Sequence, residues 1–490
     1  MNEDDVKKAA AFPCLKQATL LLLWSLLLYP FLAEAQDNHY WAQQYGAAGT
    51  LMGGAMVGGT DDNSAIYYNP GALAFIGNTS LSVDANVYRL DKIIISDGAG
   101  KDMNLNSAQL SVYPQIIAGM LNIFKKSRFR FSYTMLTRNH GNVLMNTRYT
   151  STPSNTGDPS TTSFVGVFDY INQLNEQWFG AGAGYQVSGK LGAGATLFLS
   201  YRGQSYQLTN YVQEVESENS QNLFRTEQND EAIKYSNFRL LAKLGLSYAD
   251  GRWKLGLTMT TPSAGIYGKG NIQRENSVIT VSENPSDMKG NFLIMDRKTG
   301  EKASYRHPLS IAAGAEYRDD KTRISLSAEY FFKTGVYHLM EPVSAPFVYP
   351  ASYLDSASYK PLIDNYMHVE IAAKPVLNAG IGFSREIFRK LSLLLGAATD
   401  ISSYDESAES DELLNAFGGF DIYHFSAGFQ YNQQKHSITL GFSYAFTPSK
   451  NVPPYTIINQ TPDFTEKALL SAHSNAIVLG YTYYFSRTSE

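Results

Sequence analysis

The chain has 490 residues, a formal net charge of -5 and only 17% charged residues, which gives no electrostatic basis for nucleic-acid binding. Its mean hydropathy is -0.23, so a bundle of apolar membrane helices is not indicated. Aromatic residues make up 13%, with 33 tyrosines and 26 phenylalanines. These residues favour strands, and tyrosine also favours membrane interfaces.

Residues 1–35 are predicted to be an export signal. An apolar run from Thr19 to Ala33 is followed by the small-x-small sequence that ends at Ala35, where we expect cleavage. The segment before the run is not clearly basic, because its three lysines are offset by three acidic residues. Cys14 is the only cysteine and precedes the run. The mature chain is therefore expected to lack disulfides and cysteine metal sites.

Residues 36–78 are rich in glycine and alanine and show no sustained alternation of apolar residues. They contain two turn-like sequences, Asp61-Asp62-Asn63 and Asn69-Pro70-Gly71. We predict a small segment that stands in front of the strand-rich region and is not part of it.

Residues 79–490 contain fourteen segments in which every second residue is apolar. In one of them Trp253, Leu255, Leu257 and Met259 alternate with small or polar residues, a period that places the apolar set on one face of a strand. The predicted strands lie near 79–91, 106–118, 127–138, 177–189, 190–203, 236–249, 252–261, 306–318, 321–333, 376–387, 390–401, 421–432, 434–446 and 473–486.

The connections between these strands alternate between short and long. Turns at 188–190, 250–252, 319–321, 389–390 and 432–434 are tight, whereas the connections 139–176, 204–235, 262–305, 334–375, 402–420 and 447–472 are long. This parity is typical of outer-membrane barrels, with turns in the periplasm and loops outside. We predict an all-β, 14-stranded antiparallel transmembrane β-barrel with both termini periplasmic. The alternative is a set of soluble sandwiches. Residues 36–78 would start beneath the barrel and fold up into it.

The segment 46–75 resembles the hatch of the FadL-type outer-membrane family, the long-chain fatty acid and toluene transporters. That family has a Gly/Ala stretch, an Asp-Asn-x-Ala-like turn and a Tyr-x-Asn-Pro-Ala-x-Leu run. The matching residues here are Gly53, Gly54, Ala55, Asp61, Asp62, Asn63, Ala65, Tyr67, Tyr68, Asn69, Pro70, Ala72 and Leu73. Gly71 stands where the family has alanine.

The resemblance implies a hatch that blocks the lumen, passive uptake of fatty acids or aromatic hydrocarbons, and ligand release sideways into outer-membrane lipid beside a kinked third strand. It also implies a monomer. The candidate gating and ligand-contact residues are Asp61, Asp62, Asn63, Tyr67, Tyr68, Asn69, Pro70 and Gly71, and a candidate loop capture site contains Phe347, Tyr349 and Tyr353. For Asp61, Asp62 and Asn69-Pro70-Gly71 the favoured role is to hold the hatch in place without touching ligand, whereas Tyr67 and Tyr68 suit hatch packing and pocket lining equally. No kink is visible in residues 127–138.

Other functions remain open at this point. A FadL-like barrel can also be an interaction component of a protein secretion or surface-attachment system, whereas a polar-solute porin has little use for a hatch. Catalysis, cofactors and metals are not expected, because the eight histidines are scattered: His39, His140, His307, His338, His368, His424, His436 and His473. His424 and Ser426 share a strand face that should point into the lumen.

Overall fold

A computed structural model describes residues 38–99, 103–121, 127–151, 161–218, 221–282, 287–354, 360–405, 407, 419–452 and 467–486. Within these ranges the helices are short: α1 (Ala47–Leu51), α2 (Ala65–Tyr68), α3 (Lys360–Asn365) and the 3-10 helices Pro70–Phe75, Asp287–Gly290 and Ala351–Tyr353. None of the described helices has the length and apolar character needed to cross a membrane.

The described strands are β1 (Thr79–Ser96), β2 (Leu105–Leu121), β3 (Phe129–Ser151), β4 (Thr161–Gln186), β5 (Leu191–Glu218), β6 (Gln221–Asp250), β7 (Trp253–Thr260), β8 (Ala264–Val281), β9 (Phe292–Lys302), β10 (Ser310–Arg318), β11 (Thr322–Phe331), β12 (Thr334–Met340), β13 (Phe347–Tyr349), β14 (Val369–Ala373), β15 (Val376–Phe388), β16 (Leu391–Asp400), β17 (Ile422–Asn432), β18 (His436–Phe446), β19 (Lys450–Val452) and β20 (Ala468–Ser486).

Fourteen of these strands close a barrel in the order β1-β2-β3-β4-β5-β6-β7-β10-β11-β15-β16-β17-β18-β20, and β20 pairs back with β1. Every pair is antiparallel. The predicted fourteen-stranded barrel is therefore confirmed. One end of the barrel, called the short-turn end, holds the tight connections β4–β5, β6–β7, β10–β11, β15–β16 and β17–β18. The opposite end is called the long-loop end.

The outer face of the barrel carries the alternating apolar residues. In β18, Ile438, Leu440 and Phe442 are exposed, and Leu440 stands opposite the exposed Phe429 of β17. Aromatic side chains such as Trp253 and Tyr317 pair near the short-turn end. An apolar outer band flanked by aromatic residues matches contact with a bilayer.

Two of the predicted long connections are mostly continuations of barrel strands, so their prediction as loops is wrong. Residues 139–176 and 204–235 are mostly strand, because β3 stays paired with β4 up to Ser151 opposite Phe164, and β5 with β6 up to Glu218 opposite Gln221. A backbone ladder needs no apolar alternation once the strand has left the bilayer, so the sequence pattern ended before the strands did.

The long-loop end also carries strands outside the barrel. β8, β9 and β13 extend the upper part of β6 as a sheet, β19 adds to β20, and β12 pairs with β14 in a separate two-stranded sheet. Beneath them lies a large cluster of buried apolar side chains, including Phe168, Tyr206, Ile272, Met340 and Met367. This cluster fills the upper lumen.

The hatch, residues 38–78, runs through the lumen in the opposite sense to the one expected. Its first described residue, Asn38, accepts a 3.0 Å hydrogen bond from Ser403 Oγ, and Trp41 N donates to Asp400 at the last position of β16, both at the long-loop end. The chain then descends and enters β1 at Thr79, at the short-turn end. Strand parity fixes where β1 begins, but it carries no information on where a preceding segment starts. Residues 1–37, with the predicted signal, lie outside the described residues.

Candidate functional site: the hatch and the adjoining wall

The Asn69-Pro70-Gly71 turn ties the hatch to itself and to the barrel wall. α2 ends at Tyr68, Asn69 follows with an extended backbone, and the 3-10 helix starts at Pro70, which suits a first helical position. The Asn69 side chain is fully buried. Its oxygen accepts from Gly71 N at 3.0 Å, and its nitrogen donates to Val57 O and Leu246 O, each at 2.9 Å.

Glycine at position 71 has a structural reason. A Cβ there would lie 2.8 Å from the carbonyl oxygen of Gly245 in the wall, closer than real Cβ contacts. The wall side is equally tight, since a Cβ on Gly194 would lie 2.1 Å from Pro70 O and one on Gly256 1.8 Å from Val57 O. The backbone of the hatch therefore packs directly on the backbone of the wall around this turn. Gly71 replaces the family's alanine because a side chain would not fit between them.

Asp61 makes an ionic contact between the hatch and the wall near the short-turn end. Lys254 Nζ lies 2.6 Å from its carboxylate, and Arg318 also pairs with it. Burial alone would raise the pKa of Asp61, but the charges of Arg318 and Lys254 outweigh it and hold the pKa below its usual range. Glu316 pairs with Arg318 at 2.8 Å and Arg323 at 2.5 Å, so the contact belongs to a wider charge network.

The neighbouring residues hold the same stretch of hatch. Asp62 accepts a 2.8 Å hydrogen bond from Ser64 N just before α2, and burial raises the pKa of Asp62. Asn63 donates to Ser82 Oγ at 2.8 Å and accepts from Ser80 Oγ at 2.7 Å, which fixes it to β1.

The two tyrosines of α2 differ in their surroundings. Tyr68 OH accepts a 2.8 Å hydrogen bond from Tyr45 N and donates to Gln44, so it packs within the hatch. Tyr67 lies with Lys243 Nζ 4.5 Å above its ring centre and Trp178 6.3 Å away, both from the wall. Tyr67 is therefore buried between the hatch and the wall.

A buried charge cluster on β4, β5 and β6 borders the same space. Glu176 accepts from Arg239 at 2.6 Å and from Arg202 at 2.9 Å, and Trp178 Nε1 also donates to it at 2.6 Å. Tyr305 stacks on Arg202, with 3.9 Å from the guanidinium carbon to the ring centre. This cluster could not be predicted from the sequence, because Glu176 falls in the predicted connection 139–176, and the strand pattern around Arg202 and Arg239 does not show that these side chains meet.

The wall is interrupted between β2 and β3. Their ladder runs from Leu121 opposite Phe131 to Ile116 opposite Leu136 and then stops, although both strands continue. Pro114 lies two residues before Ile116 in β2, and proline has no N–H to give to a ladder. Its carbonyl instead accepts a 2.7 Å hydrogen bond from the Thr137 hydroxyl.

Strand β3 is irregular at the same level. Its register with β4 shifts between Thr137 and Asn139, so Arg138 forms a bulge, which bends a strand and increases its twist. On the lumen side, Gln43 of the hatch donates to Tyr113 OH at 2.5 Å, and Arg89 of β1 donates to the same oxygen at 2.9 Å. The interruption therefore lies directly beside the hatch. Pro114 was the sequence signal that could have located it.

The loop residues predicted as a capture site do not line a pocket among the described residues. Phe347 and Tyr349 are 59% and 55% exposed and flank Val348, which is 5% exposed, so they face outward. The side chain of Tyr353 lies outside the description. Beneath this strand the space is filled by apolar side chains, including Met340 and Met367. Among the described residues of 334–375, side chains therefore occupy the space in which a continuous apolar pocket for a ligand would lie.

A cavity of about 40 Å³ remains between the hatch and the wall, bordered by polar residues such as Gln43, Asn86, Arg89 and Gln115. It has room for a few water molecules and not for a fatty acid.

No protein-family model and no curated protein sequence matches the chain. Solved structures do. A FadL homologue of Pseudomonas aeruginosa aligns over 91% of this chain and 100% of its own, with a TM-score of 0.54 and 13% identity. The chain has the FadL-type fold. The Pseudomonas putida toluene transporter TodX aligns over 90% and 98%, with a TM-score of 0.53 and 13% identity, and the Ralstonia pickettii toluene transporter TbuX over 91% and 100%, with a TM-score of 0.52 and 10% identity.

Within this FadL-type barrel, His424 and Ser426 have structural partners. Ser426 Oγ donates to the hatch carbonyl of Thr50 at 3.0 Å, and His424 Nε2 lies 4.0 Å from Asp400. Both face the lumen, as the strand pattern predicted. The solved structures named above are described as transporters or as a FadL homologue.

Proposed function

We propose that this chain is an outer-membrane channel for passive uptake of hydrophobic compounds, either long-chain fatty acids or aromatic hydrocarbons, with a hatch-gated exit through the barrel wall. The observation that carries the proposal is the interrupted ladder at Pro114 and Arg138 beside the hatch. The likeness in fold to toluene transporters supports the same class of solute.

The physical reasoning favours a sideways exit. An apolar solute gains free energy by leaving water for the bilayer, and a path through the wall delivers it there without crossing a hydrated lumen. The gap between β2 and β3 is spanned by few hydrogen bonds, such as Thr137 to Pro114. Separating β2 from β3 at this gap therefore breaks fewer backbone hydrogen bonds than separating a pair of strands with a complete ladder.

The described conformation is the closed one in this proposal. Apolar side chains fill the upper lumen and the hatch fills the lower lumen. Passage requires the hatch to move. The contacts of Asp61, Asp62, Asn63, Asn69, Pro70 and Gly71 support a role in holding the hatch in place. Tyr67 packs against Lys243 and Trp178 of the wall, and its contact with ligand stays a prediction. Capture by Phe347, Tyr349 and Tyr353 stays a prediction.

The test is uptake of labelled long-chain fatty acid and of toluene by a Gram-negative host that lacks its own hydrophobic-compound channels. Cells that express the chain should accumulate label faster than cells with an empty vector. Native mass spectrometry of the purified barrel should also show a retained hydrophobic ligand. If a correctly folded barrel gives neither uptake above the vector nor a bound ligand, the proposal is wrong.

A further inference from the structure

The two-stranded sheet formed by β12 and β14 covers the filled upper lumen at the long-loop end. Its inward side chains, Met340 and Val369, are fully buried in the apolar cluster together with Met367. The more exposed positions near the end of β12 and the start of β14 carry a group of residues with metal-binding chemistry. That group plays no part in the proposed transport route.

Three residues bring possible ligand atoms together at these positions. His338 lies in β12, Glu341 follows the end of β12, and His368 precedes β14, and one nitrogen or carboxylate oxygen from each lies within 4.8 Å of the others. The rings of His338 and His368 are 5.1 Å apart and inclined at 69°. His338 Nδ1 is 3.5 Å from a Glu341 oxygen. These separations are close to those of atoms that share one small cation.

A fourth residue orients the first histidine. Glu370 stands opposite His338 in the β12–β14 pairing, and its carboxylate lies 3.0 Å from His338 Nε2. A carboxylate on one ring nitrogen fixes the tautomer and leaves the other nitrogen, Nδ1, as a ligand. This carboxylate–histidine arrangement is common at zinc sites.

The backbone of the second histidine is held in place before any metal binds. Arg274 of β8 donates to His368 O at 2.9 Å and to Tyr366 O at 2.7 Å. Arg274 is itself paired with Glu231 of β6 at 2.6 Å, so the His368 segment is fixed to the extended barrel sheet.

We propose that His338, His368 and Glu341 form a zinc-binding site, with Glu370 as the positioning residue for His338. Two imidazoles and one carboxylate suit zinc, and three protein ligands leave a fourth position for water. No metal was expected from the sequence, in which thirty positions separate the two histidines. Only the pairing of β12 with β14 brings them together. Bound zinc would cross-link the two strands and stabilise the closed sheet over the lumen.

The test uses the full chain, purified in detergent and freed of metal with a chelator, then titrated calorimetrically with zinc chloride. Wild-type protein should bind one zinc ion. His338→Ala and His368→Ala should each weaken binding at least tenfold, and Glu370→Gln should weaken it about tenfold. His436→Ala is the matched control, because this histidine contacts Tyr481 near the short-turn end and should leave binding unchanged.

Two further readouts separate a ligand role from a structural one. Cobalt(II) added in place of zinc should give the visible absorption of a low-coordinate site in wild-type protein and not in His368→Ala. Zinc should slow hydrogen exchange in β12 and β14 of wild-type protein only. Absence of zinc binding by the folded wild-type barrel, or zinc binding by His338→Ala and His368→Ala that is as tight as that of wild type, would overturn the proposal. Neither result depends on whether the barrel transports anything.

Discussion

Replacement of Gly256 by alanine should displace the hatch from its contact with the barrel wall. Gly256 lies in β7, and an ideal Cβ at this position would be 1.8 Å from Val57 O and 2.7 Å from the Asn69 side-chain nitrogen. The first of these atoms is backbone, so no rotamer change can relieve the contact. The matched control is Gly189→Ala, because a Cβ there meets nothing within 4 Å.

The size of the displacement follows from the structure. Real Cβ contacts essentially never fall below 3.0 Å, so Val57 and the wall must separate by at least 1.2 Å (3.0 less 1.8). Val57 N is 3.1 Å from Ser327 Oγ and Val57 O is 2.9 Å from the Asn69 nitrogen, so both hydrogen bonds are strained or lost. Overpacking and unsatisfied buried groups together cost about 2–5 kcal/mol. Most of this falls on the hatch, since β7 stays laddered to β6 and β10.

Conductance in planar lipid bilayers measures the outcome. Wild-type and Gly189→Ala barrels should conduct ions rarely, whereas Gly256→Ala should show frequent openings, and its hatch should be cleaved faster by protease. Equal conductance and equal cleavage in the two glycine variants would refute the view that residues 38–78 are seated by backbone packing on the wall.

Two other substitutions probe the same seat. Asn69→Ala removes three hydrogen bonds from a fully buried side chain, so hydrogen exchange of the hatch should accelerate by the equivalent of about 2–4 kcal/mol. The control Asn104→Ala, at an exposed position, should leave exchange unchanged. Similar exchange in both variants would contradict the role of the Asn69 turn in holding the hatch. Asp61→Asn should cost under about 1 kcal/mol, because this carboxylate is nearly half exposed. Since the pKa of Asp61 is held below its usual range, its contribution should be present above about pH 4 and fade as pH falls further. A hatch stability that changes equally with pH in Asp61→Asn would contradict this.

Local periodicity was sufficient to predict the barrel. Alternation within β17, β18 and β20, and the tight turns between paired strands, gave fourteen strands at the observed places. The hatch motif located the segment that fills the lumen. These features depend on residues close together in the chain, which is why a single sequence reveals them.

The features that the sequence did not reveal depend on distant residues. The meeting of Glu176 with Arg202 and Arg239 and the closeness of His338 and His368 arise only once strands pair. The upper parts of β3 to β6 lie outside the apolar pattern because no lipid faces them. Pro114 is an exception, since proline inside a strand is a local signal for an interrupted ladder.

The claim that passage depends on hatch movement is tested most directly by locking the hatch to the wall. Val57 N lies 3.1 Å from Ser327 Oγ, so the two residues are neighbours across the hatch–wall contact. The test oxidises Val57→Cys combined with Ser327→Cys, measures the extent of disulfide formation directly, and uses each single variant as a control. Uptake of labelled fatty acid or toluene should stop when the pair is oxidised and return on reduction, while both single variants take up label under either condition. Undiminished uptake through a fully cross-linked barrel would contradict the account.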